Sequence, residues 1–272
     1  LRHAKPAMRG PQSAIVTGPA GEEIYIDEYG RIKVQFIWDR EGKKDENSSC
    51  YLRVMQSWAG NQWGASFIPR MGHEVIVTFL DGDPDRPIVT GTVYNGANKP
   101  VYSSKTQSGI KTRSTKSGSA TNANELRFED LKGSEQILIH AEKNLDTEVE
   151  NDETHTVDHD RTKTVKHDEN STIENDRNKT VNNNQTETIG KDKSITVGVN
   201  HSENIGKNKT LDVGENHTES VGKNMTISVG KDLRESVDGK YTENVTKEYS
   251  LKAKSINMQA DDEIVFKTGS AS

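Results

Sequence analysis

The chain has 272 residues, with 36 Lys or Arg against 42 Asp or Glu, so its formal net charge at pH 7 is −6. This acidic balance argues against general binding to nucleic acid or to an anionic membrane surface. The single cysteine, Cys50, excludes an intrachain disulfide framework. No apolar run approaches the roughly 20 residues of a transmembrane helix, and no signal peptide is recognisable.

The first hundred residues have the composition of a globular domain, since all seven Pro and all three Trp lie at or before Pro100. Apolar alternation bounded by Gly, Asp and Pro clusters predicts about five short strands and no helix. Such a pattern favours a small closed barrel of the OB type over residues 11–100. The strands are predicted at 24–26, 32–38, 51–55, 75–80 and 88–94.

Some OB barrels bind single-stranded nucleic acid through aromatic side chains on a basic groove. Residues 1–98 carry 11 Lys and Arg against 12 Asp and Glu, which is close to neutrality. We therefore expect no nucleic-acid partner and interpret the barrel as a structural collar. Trp58, Trp63 and Phe67 are predicted to lie in its core or in a subunit interface.

The segment 101–136 is predicted to be a linker or neck, because residues 103–124 are rich in Ser, Thr, Lys and Gly. Strand character returns at Ile137-Leu138-Ile139, so a second domain is expected from residue 137 to residue 272.

A strict repeat follows, in which every eighth residue is Val or Ile. An octad fits neither the 3.6-residue helical turn nor the heptad, but it is a multiple of the two-residue strand period. The repeat therefore predicts stacked short strands joined by corners. The column comprises Val149, Val157, Val165, Ile173, Val181, Ile189, Val197, Ile205, Val213, Val221, Val229, Val237 and Val245.

The residue after the column is Gly in six successive octads, and Asp or Asn stands two residues further on. These residue types predict the corner, with glycine supplying backbone angles that other residues reach only with strain. Between corners the column residues are expected to point inward and the Thr and Ser columns outward. The corner glycines are Gly190, Gly198, Gly206, Gly214, Gly222 and Gly230.

Burial of small aliphatic side chains is too weak to order this repeat, so its backbone must be fully hydrogen-bonded. The inter-strand hydrogen bonds can form within one chain or among three chains wound together. Three chains are favoured because intertwining removes every lateral edge and places the column on a three-fold axis. The other possibility is a single-chain solenoid whose Thr columns bind ice or another surface, although strand propensity explains the Thr columns more simply.

The residues two positions before the column alternate between two types with a period of sixteen residues. This alternation reflects either two environments for successive strands or pairing of Glu with Lys across the seam. The alternating residues are Ile195, Leu211 and Ile227 against Glu187, Glu203, Glu219 and Glu235.

Catalysis and metal binding are not expected. Stacked His159 and His167, or His201 and His217, could form rings under three-fold symmetry, but Lys, Arg and Glu occupy equivalent positions, which indicates solvated surface. His73-Glu74 lacks the second histidine of a zinc-protease motif. No phosphate loop or strained serine turn is present. We predict a protein that is not an enzyme and has neither cofactor nor metal.

Long segments of the chain resemble the VgrG family, and Val-Gly, which gives that family its name, recurs at 197, 213, 221 and 229. The matching runs are residues 30–36 with Trp38-Asp39, 58–60 with 63–65, 67–72, 82–87 followed by 91–95, 106–113, and 125–130.

The resemblance implies an all-β homotrimer, with an OB-type barrel followed by an intertwined triple-stranded β-helix. It also implies the spike of a type VI secretion system, similar to the central spike of contractile phage tails. A PAAR-repeat protein would cap the C-terminal end, effector proteins would ride on the spike, and Hcp-type tube rings would lie below its hub. The spike would assemble in the bacterial cytoplasm and cross membranes transiently. A phage baseplate needle is the other possibility.

The family's hub is expected to precede the barrel. Residues 1–10 would be its remnant, so the sequence is expected to be a fragment that also stops short of the usual spike end. The residues do not identify the effector or the tip protein.

Overall fold

The computed structural model describes residues 4–269, which divide into two units at Glu169 and Asn170. Regular structure consists of strands and one short 3₁₀ helix, Leu80–Gly82. No helix within the described range is long and apolar enough to cross a membrane. The strands are β1 Gln12–Thr17, β2 Lys33–Phe36, β3 Arg53–Val54, β4 Glu74–Phe79, β5 Pro87–Val93, β6 Gln107–Lys111, β7 Glu125–Glu129 and β8 Gln136–His140.

The first five strands form one sheet in the order β2-β1-β4-β5-β3. All its pairs are antiparallel except β3 with β5. The sheet closes because Ile32 and Leu52, which precede β2 and β3, exchange two backbone hydrogen bonds of 3.0 and 2.7 Å. A five-stranded sheet closed on itself is the predicted OB-type barrel, and that prediction is confirmed.

Alternate residues of the barrel strands point into one core, as the two-residue strand period requires. Along β4 the residues Val75, Val77 and Phe79 are buried, while those between them are partly exposed. The full core cluster is Ala14, Val16, Ile32, Val34, Leu52, Val75, Val77, Phe79 and Val89.

One predicted strand is wrong. Residues 24–26 form no strand, and Tyr25 instead packs against Tyr51 at a ring-centroid distance of 6.0 Å. The strand missing from the prediction is β1, which lies between β2 and β4. Its inward residues Ala14 and Val16 are small, so its apolar alternation is a weak signal. Its two neighbours, which are distant in sequence, stabilise it.

The predicted linker contains two strands, so its interpretation as a flexible segment is wrong at those residues. Strands β6 and β7 pair antiparallel, and β7 pairs in turn with β8, which gives a three-stranded sheet, here called the neck sheet. The Ser- and Gly-containing β6 has low strand propensity by itself. Hydrogen bonding to β7 stabilises it as a strand, which local composition cannot reveal.

Polar contacts attach the neck segment to the barrel. The Glu23 carboxylate accepts a 2.7 Å hydrogen bond from the Ser117 backbone N–H and one of 3.4 Å from the Arg113 guanidinium. Lys116 forms an ion pair with Glu22 at 3.0 Å. The Ser117 N–H is the main cause that lowers the pKa of Glu23 below its usual value, and Arg113 lowers the pKa further.

We expect Glu23→Ala to accelerate hydrogen exchange of the Ser117 amide by roughly tenfold, because that N–H loses its acceptor. Glu28→Ala in the same loop region is the control. Because the folded-state pKa of Glu23 is lowered, the contact is fully formed above the ordinary glutamate pKa and is lost as pH falls through the lowered value. Unchanged exchange of Ser117 in the Glu23 variant would contradict this assignment.

Residues before β1 lie against the barrel. The Met8 N–H donates to the Gly82 carbonyl at 2.9 Å, and Lys5 contacts Asp83 and Asp85 at 2.7 and 2.8 Å. Residues 1–3 of the predicted hub remnant and residues 270–272 of the predicted needle lie outside the described residues.

Candidate functional site

The octad repeat is visible as a regular series of backbone bends. From 150–151 to 246–247, two bent residues directly follow each column residue. Further bends at 142–143 and at Lys254 extend the spacing by one octad at either end, with Ala141 and Ala253 in the column. The next bend, at 261–262, comes earlier than the octad spacing requires. The repeat therefore continues past Val245 and then changes its period.

The aliphatic column residues are partly shielded even in a single chain. Their exposed fractions lie between 42% for Val213 and 54% for Ile173. Three apolar residues between column positions are more exposed, at 68% for Ile195, 66% for Leu211 and 88% for Val199. In each of the two units, the column residues are left about half open to solvent by this chain alone.

The backbone of this region has no partner strand in its own chain. Between residues 141 and 269 no residue belongs to a strand or bridge. A three-sided single-chain solenoid would pair segments about 24 residues apart, and no such ladder is present there. Backbone N–H and C=O groups of a folded rod require hydrogen-bond partners. These groups are therefore available to other chains.

The six predicted corner glycines do lie at bends, but the prediction that they need special backbone angles is wrong for this chain. None of them has a positive φ. A Cβ added at any of them would meet nothing within 4 Å. Octads with other residues after the column, such as Lys166 or Asn182, bend in the same way. The bend is therefore accessible to ordinary residues, and glycine is not required by the fold of one chain.

Ion pairs span three of the corners, each between the residue two before the column and the residue four after it. The pairs are Lys163 with Glu169, Glu187 with Lys193 at 2.6 Å, and Glu203 with Lys209. The hydrogen bonds from Lys193 and Lys209 lower the pKa values of Glu187 and Glu203 below the usual glutamate value.

These pairs account for part of the sixteen-residue alternation. Glu187 and Glu203 pair with lysine across a corner of their own chain. In later octads, the residue six positions after Glu219 is Met225, and the residue six positions after Glu235 is Tyr241. Neither glutamate therefore has a lysine at the equivalent position. Charge pairing is thus confined to the earlier octads, and the pattern becomes more apolar toward the C-terminus.

Trp58, Trp63 and Phe67 are exposed, so the core is the wrong one of the two places predicted for them. Trp58 and Trp63 are 64% and 58% exposed and pack edge to face at 5.0 Å. Phe67 is 56% exposed, and its backbone is held in both directions by the Gln56 amide at 2.9 and 3.2 Å. A subunit interface stays a prediction for these residues. Cys50 is also exposed.

Histidine positions show no metal-binding geometry within residues 4–269, where no group of three or more His, Cys, Asp or Glu side chains is placed to hold an ion. His159 and His167 instead contact the neighbouring Asp160 and Asp168 at 3.0 and 2.9 Å.

The fold therefore joins an OB-type barrel to an octad repeat that has no partner strand within its own chain. Residues 108–221 and 192–260 match the bacteriophage T4 gp5 C-terminal trimerisation domain. Because these matches span more than half of the sequence, the chain belongs to that family. Residues 24–94 match the type VI secretion system/phage-baseplate injector OB domain.

Curated relatives agree with both matches. The chain is 61% identical over 163 residues to the type VI secretion system spike protein VgrG1b of Pseudomonas aeruginosa, a region that covers 59% of this chain and 22% of that protein. It is 57% identical over 157 residues to VgrG1a of the same organism, covering 57% and 24%. Identity to VgrG3 of Vibrio cholerae is 50% over 162 residues, covering 60% and 16%. The chain therefore spans about a fifth of the length of these relatives.

Proposed function

We propose that this chain is the collar and shaft of a type VI secretion spike, in which three copies wind together into a rigid needle that punctures a target membrane. The observation that carries the proposal is the column of thirteen aliphatic residues, half shielded, on a backbone without partners in its own chain. Three such chains would supply one another with hydrogen-bond partners and would bury the column around a common axis.

Stiffness is the useful property of such a shaft. Thirteen octads stacked at the ~4.8 Å strand spacing give a rod of roughly 60 Å. Inter-strand hydrogen bonds run nearly parallel to the axis of the rod, which is the direction of the mechanical load during puncture. Many hydrogen bonds therefore share that load. The charged exterior has little affinity for lipid, which suits a rod that crosses a bilayer without staying there.

The remaining partners of the proposed spike are those that the family resemblance implies. A PAAR-repeat protein would cap the C-terminal end, Hcp-type tube rings would lie below the hub, and effector proteins would be carried on the spike. The spike would assemble in the bacterial cytoplasm and would be exported through the secretion machine. The shaft acts mechanically and catalyses no reaction.

The other functions find less support. The OB-domain family includes phage-baseplate injectors, but the relatives described above are all named as type VI spikes. An ice-binding solenoid requires ladders within one chain, and residues 141–269 contain none.

Light scattering after size exclusion tests the trimer directly. We expect a mass near three times 30.2 kDa at micromolar concentration. A monomer mass under these conditions, with the barrel folded, would reject intertwining and with it the proposed shaft.

A further inference from the structure

The neck sheet has an apolar face that the chain leaves uncovered. Cross-strand partners in an antiparallel sheet point to the same face. Ile110 pairs with Leu126, which pairs with Ile139, and Phe128 pairs with Ile137. These five side chains are between 37% and 67% exposed. They lie next to one another on one face of the sheet, and a contiguous exposed apolar patch can mark an interaction site.

The opposite face of the same sheet is mostly polar, with Leu138 among its side chains, and it is partly covered. The Glu125 side chain there is only 9% exposed, and it contacts Lys111 and Arg127 at 3.7 Å each. Tyr102 lies over this face so closely that a Cβ at Gly109 would come within 2.8 Å of the Tyr102 hydroxyl oxygen. The chain thus covers part of the mostly polar face and leaves the apolar face exposed, whereas a soluble sheet commonly buries its apolar face.

A second copy of this chain is the occupant that the observations favour. The trimerisation-domain matches begin at residue 108 and include all of the neck sheet except Gln107, together with all thirteen positions of the octad column. Apart from Ser108, every position on the apolar face is aliphatic or aromatic, so identical faces can meet without like-charge repulsion. The shared column begins at Val149, only a few residues beyond β8.

The octad column cannot by itself define how three chains align. Sliding one chain by eight residues replaces each Val or Ile of the column with another Val or Ile at every position but one at each end. Self-similar strands are prone to such slips in register. An aperiodic contact is needed to select one alignment, and the neck sheet precedes the repeat and occurs once per chain.

We propose that the apolar faces of three neck sheets pack together and set the register in which the octads of the three chains align. This inference rests on the proposed trimer and adds a specific role for the segment before the repeat. The apolar contact would select the alignment in which all thirteen column positions coincide.

Disulfide trapping measures that alignment in the full chain. A parent protein with Cys50→Ser and Val197→Cys carries one thiol on the proposed axis. In-register thiols lie closest and join readily on oxidation with diamide, whereas a slip of one octad moves them ~4.8 Å further apart along the axis and lowers the yield of the disulfide. We expect a covalent dimer from about two thirds of the parent chains, since one thiol of three has no partner.

The test variant adds Ile137→Ser and Ile139→Ser to this parent, and the matched variant adds Ile137→Leu and Ile139→Leu. We expect the serine variant to yield at least about fivefold less covalent dimer than the parent, because its chains trimerise out of register or do not trimerise. The leucine variant should retain the yield of the parent. Near-UV circular dichroism of the tryptophans, which all lie in the barrel, confirms that the barrel stays folded in both.

Each result has one meaning. Equal dimer yields from the serine variant and the parent would overturn the register role while leaving the shaft intact. Equal losses in the serine and leucine variants would also overturn it, because apolar character would then not be the cause. Failure of the parent itself to trimerise would instead reject the proposed shaft.

Discussion

Val213→Asp is expected to abolish assembly of the trimer or to lower its thermal stability steeply. Val213 is among the most shielded column residues, at 42% exposure in a single chain, and the proposed trimer would bury it on the axis. Three carboxylates would then meet in an apolar environment without cations to pair with. Such burial costs on the order of several kcal/mol per trimer. Analytical ultracentrifugation and thermal denaturation measure the loss.

Two control variants test whether the effect is specific to the column residues. Val199→Asp places the same charge fourteen residues away on a side chain that is already 88% exposed, and we expect this variant to retain the trimer. Thr226→Lys on the outward face should be nearly silent. A fully stable Val213→Asp trimer would show that the column does not face the axis. Collapse of the Thr226 variant would show that the two faces are reversed.

Leu52→Ala is the change with the largest expected effect on the barrel. Leu52 is 2% exposed and lies at the bridge to Ile32 that closes the sheet, so truncation leaves a cavity where the barrel joins. Core Leu→Ala changes cost about 2–5 kcal/mol. Denaturant unfolding followed by near-UV circular dichroism of the tryptophans measures the stability of this domain separately from the shaft.

Met55→Ala is the matched control for the barrel. Met55 lies just beyond β3 and is 59% exposed, so its truncation should change the stability by less than about 0.5 kcal/mol. Equal effects of the two substitutions would mean that the Ile32–Leu52 junction does not close the barrel in solution.

The strands of the barrel and of the neck sheet differ in how well the sequence alone predicts them. Strands β2 to β5 were predictable because bulky apolar residues alternate between clear turn residues, and β8 was predictable from Ile137-Leu138-Ile139. Strand β1 escaped prediction because its inward residues Ala14 and Val16 are small. Strand β6 escaped because its Ser and Gly have low strand propensity, and only its pairing with β7 makes it a strand.

The octad period, the corner positions and the division into barrel and repeat were determined by the sequence itself, because each is a local pattern repeated along the chain. The tertiary structure decided which neck residues share a face, which aromatics are exposed, and that the corner glycines adopt ordinary angles. The first two of these properties depend on pairing and packing between segments far apart in sequence. The free energy of such pairing comes from contacts that no local pattern records.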